Sequence, residues 1–290
     1  MKRLFHLVRA GHWYKNLLIF LPIVFGQQLF NTIALQKTII GFIALCLASS
    51  AGYVFNDIID MKKDVHHPEA RKKYIARKIL RVDLAFIFAS LLFVLAVALG
   101  ALLSEAFLYF VVGLFALTLI YSLWLKNEIF VDVIMISINF VLRAVSGAFV
   151  IASSCFKPYI WISPWLLVCT FLLALFIAVG KRNSELIVLG KKAAKYKPVL
   201  KHYNSQLTSS LLTITTSSLL VSYVLYTFQS VNTALVFTAP FAVYVMFRYL
   251  YLVYSGSKIP ISPGKFYRDS RLLIGALLWI GSVILVLYCL

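Results

Sequence analysis

Residues Asn56–Arg81 read NDIIDMKKDVHHPEARKKYIARKILR, a charged stretch between two apolar runs of about 20 residues each. The flanking runs, 38–57 and 83–101, are long enough to cross the hydrocarbon core of a bilayer as α-helices. Similar apolar runs, separated by short polar connections, recur along nearly the whole chain. This alternation predicts an all-α integral membrane protein.

The composition excludes a soluble globular protein. Hydrophobic residues make up 62% of the 290 residues, charged residues make up 13%, and the mean hydropathy is +0.91. No soluble domain can be separated, so we expect one polytopic membrane domain over 1–290, with an N-terminal interfacial segment at 1–16 and cytoplasmic site loops at 57–82 and 181–206. Nine spans are expected, at about 17–36, 38–57, 83–101, 105–124, 129–151, 161–180, 207–229, 232–254 and 271–289.

The first expected span carries a signal for a break. Pro22 and the pair Gln27 and Gln28 lie inside it, and proline removes a helical hydrogen bond. A re-entrant or broken helix is therefore an alternative to a continuous span at this position.

The net charge of +18 is explained by orientation rather than by nucleic acid. With nine spans, 24 lysines and arginines lie on one side, and only Lys37 and Lys157 lie on the other. Basic connections face the cytoplasm in membrane proteins. We therefore expect a cytoplasmic N-terminus, a cytoplasmic acidic motif and an external C-terminus. The expected partners are anionic lipid or an anionic substrate, and no nucleic acid.

The opening stretch concentrates scarce acidic residues. Four of the ten acidic residues lie in it, and Asp57, Asp60 and Asp64 fall within an arc of about 60° if the preceding helix continues. Carboxylates about 6 Å apart repel by about 3 kcal/mol at an effective dielectric of about 20, so such a face favours a bound cation or basic neighbours. A divalent metal site is predicted. A solvated, charge-rich loop is the alternative.

A polar stripe on the fifth span supplies a second candidate. Asp132, Asn139 and Arg143 lie within about 20° of one line on a helix, and polar groups in a membrane turn toward the protein interior or a wet cavity. Arg143 is thus either a site residue or one half of a structural ion pair. Tyr121 and Lys126 approach the same rim, although Lys126 at a span end is also explained by snorkelling.

The second long loop begins GKRNSE, and Lys181, Arg182 and Glu185 share one helical face. Local salt bridging is one interpretation. The other is a basic wall for phosphates, with Glu185 orienting the cations or touching a metal.

The spacing NDxxDxxxD, carried by Asn56, Asp57, Asp60 and Asp64 after a second span, resembles the first aspartate motif of the UbiA-type membrane prenyltransferase superfamily. The resemblance covers nearly the whole chain. It implies nine transmembrane helices around a central cavity and an acidic motif that binds a diphosphate through Mg²⁺. Most members have a second motif, DxxxD, after the sixth span, where this chain has Lys181, Arg182 and Glu185.

Three further segments are similar to the polyprenyl-phosphate phosphoribosyltransferase branch of that superfamily. The matching residues are Arg9, Trp13, Lys15 and Asn16 of RxxxWxKN; His67, Pro68 and Arg71 after the acidic motif; Gly180, Lys181, Arg182, Glu185 and Leu186 of GKRxxEL; and FVLRAVSGA around Arg143. The segment Lys73–Lys78 departs from the branch, since it reads KYIARK where relatives tend to have RPIAxG. This departure bears on the shape of the loop.

The branch implies transfer of a 5-phosphoribosyl group from phosphoribosyl diphosphate to a polyprenyl phosphate of the decaprenyl type, at the cytoplasmic face of a bacterial plasma membrane. Its two substrates carry more phosphates than a prenyl diphosphate does, which suits a basic second motif. Mg²⁺ is expected on Asp57, Asp60 and Asp64. The expected substrate-binding residues are Lys15, Asn16, Asn56, Arg71, Lys72, Tyr121, Lys126, Arg143, Lys181, Arg182 and Glu185.

Two other functions compete with this one. An aromatic-acceptor prenyltransferase of quinone or haem biosynthesis would use the same first motif. A non-enzymatic lipid or solute transporter would use the charged loops to gate a path.

Overall fold

The computed structural model describes residues 7–61, 75, 77, 80–152, 163–190, 193, 197–230 and 232–289. In these residues the regular structure is entirely helical. The α-helices are α1 (Leu21–Phe25), α2 (Thr32–Ile59), α3 (Val82–Leu103), α4 (Glu105–Leu123), α5 (Val131–Ala152), α6 (Pro164–Leu189), α7 (Ser205–Gln229), α8 (Ala239–Tyr254) and α9 (Ser270–Cys289). Short 3-10 helices cover Ala10–Phe20, Leu125–Asn127, Pro198–Lys201, Thr233–Thr238 and Pro263–Arg268.

The expected all-α membrane fold is confirmed. Eight segments of the described chain are long and apolar enough to cross a membrane: α2 to α7, α9, and Thr233–Tyr254, in which a 3-10 helix leads into α8. Seven of these segments correspond to the third to ninth expected spans, and the remaining segment, α2, corresponds to the second. The expected count of nine is therefore not confirmed for this part of the chain.

The difference lies in the first expected span, where the chain is broken. The 3-10 helix Ala10–Phe20 gives way to α1, which has proline near its first position and ends at Phe25. Gln27 follows with φ 54°, a left-handed conformation that stops a helix. Asn31 then caps α2 by accepting a hydrogen bond from the Ala34 N–H at 3.2 Å. The expected boundary near Lys37 is wrong, because α2 runs through it without interruption.

The chain divides into two compact units. Unit 1 comprises Met1–Lys126 with Leu142–Trp161, and unit 2 comprises Asn127–Val141 with Ile162–Leu290. In unit 1, α2 packs against α3, α4 and the 3-10 helix Ala10–Phe20. In unit 2, α6 packs against α7 and α8, and α8 also packs against α9.

Helix α6 extends beyond its expected end near residue 180. The GKRNSE segment forms the last turns of this helix rather than the start of a loop, and Arg182, Asn183, Ser184 and Glu185 are all buried. The helix ends at Gly190, whose φ of 50° is a conformation that glycine adopts without a steric penalty. The basic motif is thus held on regular structure.

Candidate active site

The first aspartate motif lies at the carboxyl end of α2. Asn56 and Asp57 belong to the last turn of the helix, and Asp60 follows as its C-cap, with its N–H bonded to the Asn56 carbonyl. Asp57 and Asp60 are three residues apart on this turn, as expected from the sequence. Asp64, Arg71 and Lys72 lie outside the described residues.

Asp57 is paired with an arginine from the N-terminal segment. The Arg9 guanidinium lies 2.6 Å from Asp57 Oδ1, and the Asp57 side chain is 8% exposed. Arg9 adopts a left-handed conformation, φ 49° and ψ 46°, immediately before the 3-10 helix, and its guanidinium lies over the Tyr53 ring. Ser50 on α2 anchors this segment, since its hydroxyl donates to the Val8 carbonyl at 2.8 Å. The N-terminal segment therefore delivers a cation to the motif.

Asp60 is paired with Lys126, which follows α4. The ammonium lies 2.6 and 2.9 Å from the two carboxylate oxygens, and both side chains keep some exposure. Lys126 therefore contacts the acidic motif and does not simply snorkel to an interface. Tyr121, one turn earlier on α4, is half-buried.

These carboxylates fit a Mg²⁺ site. The Arg9 guanidinium and the Lys126 ammonium show that both acids accept a cation in this fold. The described residues contain no cluster of three acidic, histidine or cysteine ligands. Magnesium needs none, because it is usually held by one or two carboxylates together with substrate phosphates and water.

A buried polar cluster surrounds Arg143 in unit 1. Its Nε donates to Asn16 Oδ1 at 2.7 Å, and Asn16 Nδ2 donates to Cys46 Sγ at 3.3 Å. The side chains of Asn16 and Arg143 are almost fully buried. Gly147 lies one turn along α5 from Arg143, and a Cβ there would collide with the Ile19 carbonyl. Close packing of α5 on the 3-10 helix thus brings Asn16 and Arg143 together. This contact could not be predicted from either sequence motif alone.

Lys15 is half-buried in the same 3-10 helix, and its ammonium lies near the Tyr53 hydroxyl. Tyr53 also lies beneath the Arg9 guanidinium. Lys15, Arg9 and the carboxyl-terminal half of α2 are therefore neighbours within unit 1.

The basic motif of unit 2 contains a buried ion-pair network. Arg182 Nε donates to Asp132 Oδ2 at 2.9 Å, and its NH1 donates to Glu185 Oε2 at 2.8 Å. All three side chains are at most 3% exposed. Lys181 is more exposed and lies 3.8 Å from Glu185 Oε1. Local salt bridging within the motif is confirmed, and Arg182 also reaches a carboxylate on α5.

The adjoining turns complete this network. The Tyr203 hydroxyl donates to Asp132 Oδ1 at 2.8 Å and accepts a hydrogen bond from the Phe130 N–H. Burial and the neighbouring Asp132 carboxylate raise the pKa of Tyr203, so its hydroxyl stays protonated and acts as the donor. Lys197 lies 3.6 Å from Asp132 Oδ2.

Sequence reasoning missed four members of these clusters. Arg9 stood in a recognised motif, and Asp132 stood on the polar stripe, but neither was assigned to the site. Lys197 is one of the 24 basic residues counted on the expected cytoplasmic side, with no role in the site assigned to it, and Tyr203 carries no local signal in the sequence. Each was missed because its partner is distant in sequence.

Two sets of known proteins are similar to this chain. Residues 19–267 match the UbiA prenyltransferase family. The decaprenyl-phosphate phosphoribosyltransferase of Corynebacterium glutamicum is 30% identical over 226 residues, which cover 77% of this chain and 66% of that protein. The protein of the same name from Mycolicibacterium smegmatis is 28% identical over 226 residues, covering 77% of this chain and 69% of that protein.

Solved structures agree on the fold. A UbiA homologue from Archaeoglobus fulgidus, solved with GPP and Mg²⁺, superposes with a TM-score of 0.74 at 17% identity, covering 97% of this chain and 99% of that chain. A UbiA homologue from Archaeoglobus fulgidus bound to Cd²⁺ superposes with a TM-score of 0.70 at 16% identity, covering 97% of this chain and 99% of that chain. Since the family match covers well over half of the sequence, the chain belongs to the UbiA prenyltransferase family.

Proposed function

We propose that this protein transfers a 5-phosphoribosyl group from phosphoribosyl diphosphate to a polyprenyl phosphate of the decaprenyl type, with Mg²⁺ bound to the donor diphosphate. The main support is the chemistry of unit 2. Its acids, Asp132 and Glu185, share one arginine and are at most 3% exposed, less than Asp57 at 8% and Asp60 at 14%. We therefore expect no second metal ion there. Lysines lie beside them instead, which suits a substrate pair with several phosphate groups. The similarity to decaprenyl-phosphate phosphoribosyltransferases supports the same choice.

The acidic motif is assigned to the diphosphate. Asp57, Asp60 and Asp64 would hold Mg²⁺, which when bound neutralises phosphate charge and stabilises the departing diphosphate. Arg9 and Lys126 already contact two of these acids. With Mg²⁺ on these acids, both cations would be available as hydrogen-bond donors to phosphate oxygens at the same helix end.

The remaining assignments follow the charges and polar groups of each unit. Lys181 is assigned to phosphate binding because it is the most exposed cation among the described ion pairs of its motif. Arg182 and Glu185 hold that motif in shape. The other proposed substrate contacts are Lys15, Asn16, Asn56, Arg71, Lys72, Tyr121 and Arg143.

The reaction needs no general base. The acceptor phosphate is already anionic near neutral pH, so its oxygen can attack C1 of the ribose directly. The new C1–O bond replaces the bond to the diphosphate, which leaves with its electron pair. The role of the protein is to position both anions and to stabilise the charge on the leaving group.

A transfer assay tests the proposal. Purified protein with labelled phosphoribosyl diphosphate, polyprenyl phosphate and Mg²⁺ should form a lipid-linked phosphoribose. Asp57→Asn and Asp60→Asn should abolish both Mg²⁺-dependent donor binding and turnover. Asp83→Asn is the matched control, because Asp83 is 73% exposed in a surface ion pair. Transfer only from a prenyl diphosphate to an aromatic acid would establish the competing prenyltransferase, and unchanged donor binding in both variants would favour a transporter.

We also propose that the protein lies in a bacterial plasma membrane with its N-terminus and acidic motif in the cytoplasm. The proposal rests on the excess of basic residues in the connections on that side. Reporter fusions at the N-terminus and within the connection between α6 and α7 should be active only as cytoplasmic reporters. Activity of a periplasmic reporter at either position would reverse the orientation.

A further inference from the structure

Lys197 has an ammonium group whose hydrogen-bonding capacity is not used within the described chain. It lies 3.6 Å from Asp132 Oδ2, too far for a hydrogen bond, and it donates none to the residues that the structure describes. A lysine ammonium has three N–H donors. Its side chain is 22% exposed, so these donors can be reached from outside the protein core.

The backbone of Lys197 is anchored to the rest of unit 2. The Lys197 N–H donates to the Ala193 carbonyl at 2.9 Å, and Pro198 then begins a short 3-10 helix. Val199 and Leu200 on that helix are buried with Tyr203 in one apolar cluster. Lys197 is thus the partly buried start of an anchored turn and is not a mobile surface lysine.

The neighbouring acids are already occupied by other donors. Asp132 accepts from Arg182 through one oxygen and from Tyr203 through the other, and Glu185 accepts from Arg182. In the part of the chain that the structure describes, the charged groups that act on Lys197 are Asp132 from α5 and Lys181, Arg182 and Glu185 from α6. Among the described residues, three basic side chains therefore lie around two carboxylates, and this excess of basic groups favours a compact anion.

We propose that Lys197 binds a phosphate group of the donor or of the lipid acceptor, and that Asp132, Arg182 and Tyr203 are positioning residues that hold its ammonium. This inference rests on the proposed function, since it assigns a further contact to substrates that carry phosphates. Arg182 donates through its Nε and NH1 to buried carboxylates, whereas the Lys197 ammonium donates no hydrogen bond to the described residues and its side chain is 22% exposed.

The protonation of Lys197 gives the proposal a distinct signature. Burial and the neighbouring cations Arg182 and Lys181 lower the pKa of Lys197 from 10.5 to about 7, against the opposing effect of Asp132 and Glu185. A bound phosphate adds negative charge and favours the ammonium form. Binding should therefore take up a proton, and affinity should fall as the pH rises through about 7.

Titration calorimetry on the full-length protein in detergent tests this inference, with three probes: inorganic pyrophosphate, phosphoribosyl diphosphate and a short-chain polyprenyl phosphate. Lys197→Met should weaken binding of at least one probe by about tenfold or more. Lys201→Met, an exposed lysine of the same turn, should bind all three like the wild type. Lys197→Arg should restore binding and remove its dependence on pH near 7.

The positioning role has its own measurement. Tyr203→Phe removes a hydrogen bond from Asp132, so the carboxylate acts more strongly on Lys197. The pH at which phosphate affinity falls should then move upward, which a merely structural loss would not cause. Repetition in buffers of different ionisation enthalpy counts the protons taken up.

The three probes separate failure of this inference from failure of the proposed function. Weakening with the first two probes assigns Lys197 to the donor, and weakening with the third assigns it to the lipid. Pyrophosphate binding that depends on Lys197 without any binding of phosphoribosyl diphosphate supports the site and refutes the proposed donor. Unchanged affinity of Lys197→Met for all three probes refutes the inference, and so does a wild type that binds none of them.

Discussion

Replacement of Arg182 by methionine tests whether this guanidinium stabilises unit 2 or serves as an exposed phosphate ligand. Methionine keeps most of the aliphatic volume of the side chain but removes its charge and its hydrogen-bond donors. Asp132 would keep the Tyr203 hydroxyl and the more distant Lys197. Glu185 would keep Lys181 at 3.8 Å.

The expected cost follows from burial. Arg182 and Glu185 are each 3% exposed, and Asp132 is fully buried. Removal of one partner from a buried ion pair costs about 3–5 kcal/mol, because the remaining charge loses its compensation. Lys181→Met on the same helix breaks a longer, partly exposed pair and should cost about 1 kcal/mol or less. We therefore expect the two variants to differ by at least about 2 kcal/mol.

Reversible unfolding in mixed micelles, monitored by tryptophan fluorescence, measures these free energies. The double variant Arg182→Met with Glu185→Gln should lose less than the sum of the two single variants, since it removes one of the uncompensated carboxylates. A free energy of unfolding for Arg182→Met within about 1 kcal/mol of the wild type would refute the reasoning. Arg182 would then have to be counted among the phosphate ligands.

Three further predictions concern other parts of the chain. Lys126→Met removes the cation on Asp60 and should lower kcat about tenfold or more in the transfer assay. Lys258→Met replaces an exposed lysine and should leave kcat unchanged. Equal kcat values for the two variants would contradict the prediction. Gly147→Ala should cost about 1–3 kcal/mol in the free energy of unfolding, because its Cβ meets the Ile19 carbonyl and Pro22, while Gly113→Ala faces open space and serves as the control. The pKa of Lys197 is about 7 in the folded protein and 10.5 in the unfolded chain, so the unfolded chain binds more protons between these two pH values. The free energy of unfolding of the wild type, relative to that of Lys197→Met, should therefore rise with pH across this window. A difference that stays constant with pH would contradict the prediction.

Most of the fold could be predicted from the sequence, because helices in lipid must satisfy their own backbone hydrogen bonds and therefore appear as long apolar runs. Hydropathy did not locate the start of α2. The sequence is apolar on both sides of Lys37, so this single charged residue was interpreted as the connection between the first two spans. The better signal was Asn31, a capping residue that comes before the uninterrupted helix α2.

The candidate site could be predicted only where it is local in sequence. Asp57 and Asp60 share the end of α2, and Arg182 and Glu185 share the end of α6, as their helical spacing indicates. The pairs Arg9 with Asp57 and Arg182 with Asp132 are 48 and 50 residues apart. Such pairs are formed by helix packing, which periodicity within one helix does not determine.

The length of α2 decides which substrates its carboxylates can meet. Its 28 residues, at a rise of about 1.5 Å each, extend about 42 Å, whereas a hydrocarbon core is about 30 Å thick. A typical tilt of about 20° shortens the span by only about 2.5 Å. About seven residues must therefore project beyond the lipid tails. If the projecting end is the one that carries Asn56, Asp57 and Asp60, a water-soluble substrate can reach the carboxylates without crossing any of the membrane. Deletion of one helical turn from the middle of α2 would draw them back toward the lipid tails.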